Sequence, residues 1–264
     1  VDCYERKRED CLQVRTNKMI VDHITKNFEN TVELNKKYSS QPPYPNIALD
    51  NFLPKETIVA MKEECNKVDW TKHFKRAGSN MKERCQVDEY PVASAVQNAL
   101  SSKPFLLWLG AITGHHDLIP DPYMIGAGYM RCGKGDSLKI HSDFNWNDTL
   151  KLWRMISLNV YLNYDWKEEW HGDLQFYDFE RKKCVTKYYP EGARAVLWRH
   201  HRFGFHGHPN PLECPENVYR DGFRMFYYVS QQPTAHLETD NKPHRSLYWF
   251  DEKTNQPYDV PSEK

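Results

Sequence analysis

The feature that most constrains the fold is a series of short apolar runs that begins at about Tyr123 and continues to about residue 230. Aromatic and β-branched residues dominate each run, and Gly, Pro, Asn or Asp separates one run from the next. The runs are MIGAGYMRC, LKIHSDF, RMISLNVYLNY, GDLQFYDF, KCVTKYYP, RAVLWR, FGFHGH and FRMFYYVS. Runs of this kind predict β-strands, and many short strands at close spacing predict an antiparallel barrel or sandwich.

The part of the chain that precedes these runs predicts helices. Apolar residues recur at three-to-four spacing around Ile20 to Leu34, which predicts a peripheral helix after a polar tail. After the proline-rich segment 39–46, a short strand leads to a helix that Pro54 opens. A further helical region extends from about Val92 to Ala111, with an interruption at Lys103-Pro104.

These patterns together predict a mainly β protein with flanking helices, in the α+β class. We expect a polar tail and peripheral helix at residues 1–40, one domain at residues 41–235 with its strand-rich core at about 123–230, and a C-terminal extension at residues 236–264. One domain is favoured over two because a chain of 264 residues is within the size that a single core can fill.

Charge and cysteine content restrict the partners and the compartment. The 36 basic residues balance the 36 acidic ones, so no general affinity for nucleic acid or for a membrane surface is expected. No stretch approaches the ~18 consecutive apolar residues of a spanning helix. The first residues, VDCYERKREDC, lack the apolar segment of a signal peptide. Seven cysteines without a CxxC pair favour a reducing compartment, and we therefore expect a cytoplasmic location.

Histidines and one aspartate form the pattern that carries chemistry. His141 and Asp143 are two residues apart, so on a strand both side chains point to the same face. A third ligand for a metal is available in RHHRFGFHGHPNP, where His206 and His208 share strand parity and both remain candidates. Two imidazoles and one carboxylate on one side of an octahedron leave three positions open, which is the arrangement of non-haem Fe(II) sites that bind a co-substrate and O₂ together.

Several motifs around these residues resemble one enzyme family. HSDFN, RMISLNVYLNYDW, WHGDLQFYD, GARAVLW and FHGHPNPLECPENVYRDGFRMFYYV are similar, in order and spacing, to the prolyl-4-hydroxylase-like branch of the 2-oxoglutarate- and Fe(II)-dependent dioxygenases. The resemblance covers about residues 123–230. It implies a double-stranded β-helix, a jelly-roll or cupin-like core, that holds the iron inside one mouth.

The resemblance also implies a metal-ligand set. His141, Asp143 and His206 would be the catalytic iron ligands, and His208 would be a neighbour. The family commonly has a Gly-Gly pair where this chain has His171-Gly172, so the turn there is expected to differ.

Three further residues would bind 2-oxoglutarate by the same resemblance. Arg220, at the start of the strand RDGFRMFYY, matches the basic residue that pairs with the distal carboxylate, and Arg224 has the same strand parity and is the alternative. Tyr129 and Tyr161 match positions at which family members place phenols against the co-substrate. Asn159 and Arg154 also fall in a patterned place, without an assigned role.

The implied reaction is hydroxylation of an unactivated C–H bond by O₂, with release of succinate and CO₂ from 2-oxoglutarate and with ascorbate (vitamin C) as reductant. The expected substrate is a prolyl residue of a peptide or protein; a free amino acid, a sugar or another small metabolite is the alternative. A non-catalytic jelly-roll domain that binds a metal or a carbohydrate is a second alternative. Such a structural metal site would have a fourth protein ligand, for example His208.

Overall fold

The computed structural model describes residues 3–72, 82–84, 87, 89–233, 243–249 and 257–259. Its helices are α1 (Cys3–Asn27), α2 (Thr31–Ser40), α3 (Lys55–Cys65), α4 (Pro91–Leu100) and α5 (Lys103–Thr113), with short 3-10 helices at Trp70–Lys72 and Glu168–Trp170. Its strands are β1 (Asn46–Leu49), β2 (Lys82–Arg84), β3 (Ile119–Pro120), β4 (Gly128–Cys132), β5 (Leu138–Ser142), β6 (Trp146–Asn147), β7 (Leu152–Tyr161), β8 (Leu174–Tyr177), β9 (Cys184–Tyr188), β10 (Ala195–Arg199), β11 (His206–His208), β12 (Arg220–Val229), β13 (Leu247–Trp249) and β14 (Pro257–Asp259).

The strands form two antiparallel sheets. The larger sheet has the order β1-β10-β7-β12-β4-β2, with β3 paired to β12 and β6 paired to β7, and the smaller sheet has the order β14-β13-β5-β11-β8-β9. Every residue of β12 is buried, because one face of that strand meets the helices and the other faces the smaller sheet. Two facing antiparallel sheets with helices on one side confirm the predicted α+β class and its jelly-roll core.

Two hydrophobic clusters occupy the two sides of the larger sheet. The first joins the helices to one face of this sheet, and Phe223 and Met225 of β12 belong to it. The second lies between the sheets and combines residues of both, among them Cys132, Tyr161 and Phe176. Because successive side chains of a strand alternate between its faces, parity decides which residues of β4, β7 and β12 reach the interior of the jelly roll.

The helix predicted around residues 20–34 is divided in two. α1 ends at Asn27, and α2 begins after Asn30, whose side-chain carbonyl accepts a hydrogen bond from the Glu33 backbone N–H. This is an N-cap, which satisfies one of the amides that have no partner within the helix. Ile20 and Ile24 of α1 are fully buried in the first cluster, so this helix contributes to the core.

The start of α4 is capped from another helix. Its N-cap residue, Tyr90, provides no side-chain hydrogen bond, but the backbone N–H groups of Val92 and Ala93 donate to the two carboxylate oxygens of Glu64 on α3, each over 2.9 Å. A carboxylate is favourable there because the N-terminus of a helix carries partial positive charge. Glu64 thereby fastens α3 to α4.

The C-terminal extension adds strands to the smaller sheet. β13 pairs with β5, with Leu247 opposite Ser142 and Tyr248 opposite His141, and β14 pairs with β13. Asn145, which follows β5, donates from its backbone N–H to the carbonyl oxygen of His244, and its side-chain Oδ1 accepts from the His244 backbone N–H. Within the described part of the chain, no helix has the length and apolar character needed to cross a membrane.

Candidate active site

The two sheet strands that carry the predicted metal ligands are neighbours. β11 lies antiparallel to β5, and His206 is directly opposite His141 in the register. Asp143 follows β5 by one residue, so its side chain shares the face of His141. One ligand atom from each of the three residues lies within 4.8 Å of the others, and all three side chains are buried. The structure therefore assembles His141, Asp143 and His206 into one cluster.

Backbone carbonyls fix the orientation of both imidazoles. His141 Nδ1 lies 2.8 Å from the carbonyl oxygen of Lys139, and His206 Nδ1 lies 2.8 Å from that of Gly204. A carbonyl only accepts, so each Nδ1 carries the proton and each Nε2 presents a lone pair toward Asp143. Burial lowers the pKa of His141, which keeps the ring in the neutral form that binds metals.

Asp143 is held ionised by an arginine that the sequence left without a role. Arg154 Nη2 donates to Asp143 Oδ2 over 2.7 Å and to Ser157 Oγ over 2.8 Å, and its side chain is fully buried. Burial opposes the ionised form of Asp143, but the charge of Arg154 outweighs it and holds the Asp143 pKa well below its ordinary value. Phe226 packs against the guanidinium, 3.5 Å from its ring centroid.

This cluster fits a divalent transition-metal ion. Nε2 of His141 and Nε2 of His206 each lie 3.4 Å from a different oxygen of Asp143. Adjacent ligands of an octahedral ion with bonds of ~2.1 Å lie about 3 Å apart, so small movements would bring all three onto one ion. The second nitrogen of each imidazole is hydrogen-bonded, as is usual for metal-binding histidines.

Arg220 lies in the interior of the jelly roll. It is directly opposite Cys132 in the register, and Cys132 belongs to the cluster between the sheets. Arg220 is 3% exposed; its Nε donates to the carbonyl of Gly172 over 2.7 Å and its Nη2 to the hydroxyl of Tyr161 over 3.1 Å. No carboxylate among the described residues pairs with it.

Comparison with known families assigns this region. Residues 127–229 match the 2OG-Fe(II) oxygenase superfamily, and this segment contains the whole cluster together with Arg220. Over this segment, the chain is similar to that superfamily. The match supports an oxidoreductase enzyme, as the sequence motifs predicted. Comparison with curated protein sequences gives no significant match.

Solved structures of similar fold include prolyl hydroxylases. A prolyl hydroxylase from Trichoplax adhaerens, in complex with a hypoxia inducible factor peptide fragment, is 16% identical, with a TM-score of 0.56 over 77% of this chain and 91% of that one. A prolyl-4-hydroxylase from Pseudomonas putida is 14% identical, with a TM-score of 0.51 over 77% of this chain and 100% of that one. HygX from Streptomyces hygroscopicus, with nickel, 2-oxoglutarate and hygromycin B bound, is 11% identical, with a TM-score of 0.51 over 75% and 87%. These likenesses confirm the fold.

Tyr129 is not brought to the cluster. It is opposite Phe223 in the register, on the face of the larger sheet that meets the helices. Its hydroxyl donates to Glu64 over 2.7 Å, and its ring packs edge-on against Tyr90 and Phe223. The sheet thus separates Tyr129 from the site at which it was expected to bind co-substrate. Tyr161, on the interior face, does reach Arg220.

Gly172 creates the space that Arg220 uses. A Cβ on Gly172 would lie 3.0 Å from Arg220 Cδ and 2.7 Å from Leu212 Cδ2, and its φ is +81°.

Arg224, the alternative anchor, donates from Nε to Asn159 Oδ1 over 3.1 Å. Asn159 thus orients the second interior arginine, Arg224.

Proposed function

We propose that the protein is a 2-oxoglutarate- and Fe(II)-dependent dioxygenase that hydroxylates an unactivated C–H bond, with a prolyl residue of a peptide or protein as its substrate. The observation that carries the proposal is the buried cluster of His141, Asp143 and His206 with the lone pairs of both imidazoles directed at the carboxylate. In this proposal the three residues hold Fe(II). The iron, with 2-oxoglutarate and O₂, would supply the oxidising chemistry, releasing succinate and CO₂, and ascorbate would keep it reduced.

The chain's own contribution is to hold the proposed metal ligands in place. The carbonyls of Lys139 and Gly204 hold the imidazole rings, and Arg154 holds the Asp143 carboxylate in its charged form. Three ligands from one side leave the remaining positions of the metal open to co-substrate and O₂. A structural metal site would need a fourth protein ligand, whereas the cluster found among the described residues has three members.

Arg220 is the proposed anchor for the distal carboxylate of 2-oxoglutarate. A buried arginine without a carboxylate partner is costly unless an anion joins it, and a planar guanidinium suits a carboxylate. Its Nε donates to the carbonyl of Gly172 and its Nη2 to the hydroxyl of Tyr161, and these two bonds fix the plane of the guanidinium. The other N–H groups of the guanidinium remain for the anion.

Metal binding by the cluster is tested by calorimetric titration with Mn(II). We expect one Mn(II) per wild-type chain and loss of binding in His141→Ala, His206→Ala and Asp143→Asn. Asparagine is chosen because Asp143→Ala would leave Arg154 buried without its carboxylate and destabilise the fold. His116→Ala, at an exposed histidine, is the matched control. Full Mn(II) affinity in any cluster variant would remove that residue from the ligand set.

The co-substrate anchor is tested with Arg220→Gln and, as its matched control, Arg224→Gln. Removing one partner of a buried charged hydrogen-bonded pair costs about 2–5 kcal/mol, so 2-oxoglutarate affinity should fall by roughly 30-fold or more in the first variant. Mn(II) affinity should be unchanged in both. If Arg224→Gln alone weakens 2-oxoglutarate, the anchor is Arg224.

The substrate class is tested by succinate formation with Fe(II) and ascorbate over a panel of proline-containing peptides, free amino acids, sugars and aminoglycosides. The peptide is proposed because prolyl hydroxylases are among the solved structures of similar fold, whereas the small molecules are included because HygX is another. Turnover that depends on a peptide supports the prolyl substrate. Turnover that depends only on a small molecule would support the proposed reaction and contradict the proposed prolyl substrate.

A further inference from the structure

His208 is a second histidine inside the jelly roll that the metal cluster does not use. It ends β11, two residues after His206, and is 1% exposed. Gly207 between them lies close to the backbone of β5, because a Cβ there would meet the carbonyl oxygens of Leu138 and Lys139 at 2.7 and 2.9 Å. The register between β11 and β5 shifts at this point, and His208 lies opposite Leu138.

The ring of His208 faces the arginine end of the interior. Its Nε2 lies 3.8 Å from Sγ of Cys132, and Cys132 is directly opposite Arg220 in the register of the larger sheet. Among charged side chains, Arg220 has the largest electrostatic effect on this ring, followed by His141 and then Arg224. His208 thus lies two residues from His206 along β11 and beside Cys132, the register partner of Arg220.

One nitrogen of this ring has no partner. Burial raises the pKa of the Cys132 thiol to about 12, so at neutral pH the thiol is protonated and can donate to His208 Nε2. A ring that accepts at Nε2 carries its proton on Nδ1. His208 Nδ1 is buried and makes no hydrogen bond to any described residue. In this tautomer, the interior contains a buried N–H donor that lacks an acceptor among the described residues.

We propose that His208 Nδ1–H donates a hydrogen bond to the distal carboxylate of 2-oxoglutarate, so that the anion is bound by a neutral imidazole together with Arg220. The inference rests on the proposed function and adds a binding residue to the same pocket. A carboxylate has two oxygens with several lone pairs, so it can accept from a guanidinium and from an imidazole at the same time. An unsatisfied buried donor is unfavourable, and the co-substrate removes that penalty on binding.

The experiment is calorimetric titration of 2-oxoglutarate into the Mn(II)-loaded protein, with wild type, His208→Asn, His208→Gln and His208→Ala compared. The amide of asparagine occupies the place of Nδ1 and can keep the donor, whereas the amide of glutamine occupies the place of Nε2. We expect the 2-oxoglutarate affinity of His208→Asn to remain within about threefold of that of wild type. We expect His208→Gln and His208→Ala to bind 2-oxoglutarate about tenfold more weakly than wild type. Mn(II) affinity, measured first, should be the same in all four proteins.

A second titration uses 2-oxobutyrate, which keeps the keto acid but lacks the distal carboxylate. The proposal requires wild type and His208→Ala to bind 2-oxobutyrate equally. Equal 2-oxoglutarate affinity in wild type and His208→Ala, with weak binding in Arg220→Gln, would overturn the role of His208 and leave the proposed function intact. Loss of Mn(II) in His208→Ala, or an equal defect toward 2-oxobutyrate, would also overturn it. Failure of the wild-type protein to bind 2-oxoglutarate would overturn the proposed function itself.

Discussion

Two buried tyrosines of the larger sheet should respond in opposite ways to loss of their hydroxyls. Tyr129→Phe removes a donor to Glu64 over 2.7 Å on the helical face. Tyr161→Phe removes the acceptor of an Arg220 hydrogen bond over 3.1 Å on the interior face. Both rings are fully buried, so the two changes are matched in chemistry and burial and differ in the face on which they act.

The magnitudes follow from the partners. A hydrogen bond to a charged group contributes about 1.5–3 kcal/mol. Glu64 keeps its two backbone donors in Tyr129→Phe, so we expect the lower end, about 1.5–2 kcal/mol, and a decrease in Tm of roughly 3–8 °C for a domain of this size. Tyr161→Phe removes a hydrogen bond that orients the guanidinium of Arg220. We expect the binding free energy of 2-oxoglutarate to weaken by about 1 kcal/mol, which corresponds to roughly fivefold lower affinity.

The assay is a thermal melt together with 2-oxoglutarate titration of the Mn(II)-loaded protein, for wild type and both variants. Tyr129→Phe should lower Tm and keep 2-oxoglutarate affinity within twofold of wild type. Tyr161→Phe should weaken 2-oxoglutarate. If Tyr129→Phe weakens the co-substrate as much as Tyr161→Phe does, the two faces of the larger sheet have been assigned wrongly and the reasoning from strand parity fails.

Three further predictions concern stability. His171 has φ 58° and ψ −150°, a conformation that favours glycine, so His171→Gly should raise the free energy of unfolding by about 1 kcal/mol in a urea titration; a decrease would show that the turn is unstrained. Glu64→Gln cannot accept from both α4 amides and should cost about 2–4 kcal/mol in the same titration; a loss below 0.5 kcal/mol would argue against capping between helices. Burial lowers the pKa of His201 to about 4. Above pH ~6.5 the ring is neutral in both states, and the free energy of unfolding does not change with its titration. Between pH ~6.5 and pH ~4 the unfolded chain binds the proton and the folded chain does not, so the free energy of unfolding decreases as the pH falls. His201→Asn, whose amide oxygen can accept from the Phe203 backbone N–H in place of His201 Nδ1, should flatten that decline by up to about 3 kcal/mol, and an unchanged pH profile of urea unfolding would contradict the assignment.

The jelly-roll core was predictable because its signal is local. Short apolar runs with turn residues between them predict strands one at a time, and the helices before them have their own periodicity. The cluster of His141, Asp143 and His206 was predictable from the two-residue spacing and from motif order, since a strand of two-residue period places both ends of HSD on one face.

Tyr129 shows where such reasoning ends. Its position in the strand is as expected, but the face on which it lies depends on the register of β4 against β12, and a shift by one residue exchanges the two faces. Motif order alone contains no information on this register. The acceptor for the Tyr129 hydroxyl is Glu64, on a helix 65 residues earlier, and no pattern in either segment indicates this contact.

Arg154 was named from the sequence without a role, for a different reason. It stands in LWRMISLNVY, a run that is otherwise apolar or small, and the only available signal was a charge in the middle of a strand buried on both faces. A charge in such a place needs a partner of opposite charge, and the carboxylate of Asp143 is that partner. Burial of the strand, which the sequence does not give directly, makes this inference possible.

The β13 strand has a practical consequence for anyone who shortens or labels this chain. Because Tyr248 is paired opposite His141, the C-terminal residues cover the edge of the strand that carries one of the proposed metal ligands. Truncation ahead of residue 247 would expose β5 as a free edge, open to pairing with a second molecule. Affinity tags and fluorophores therefore belong at the other terminus, and limited proteolysis near the C-terminus should be monitored by metal content as well as by mass.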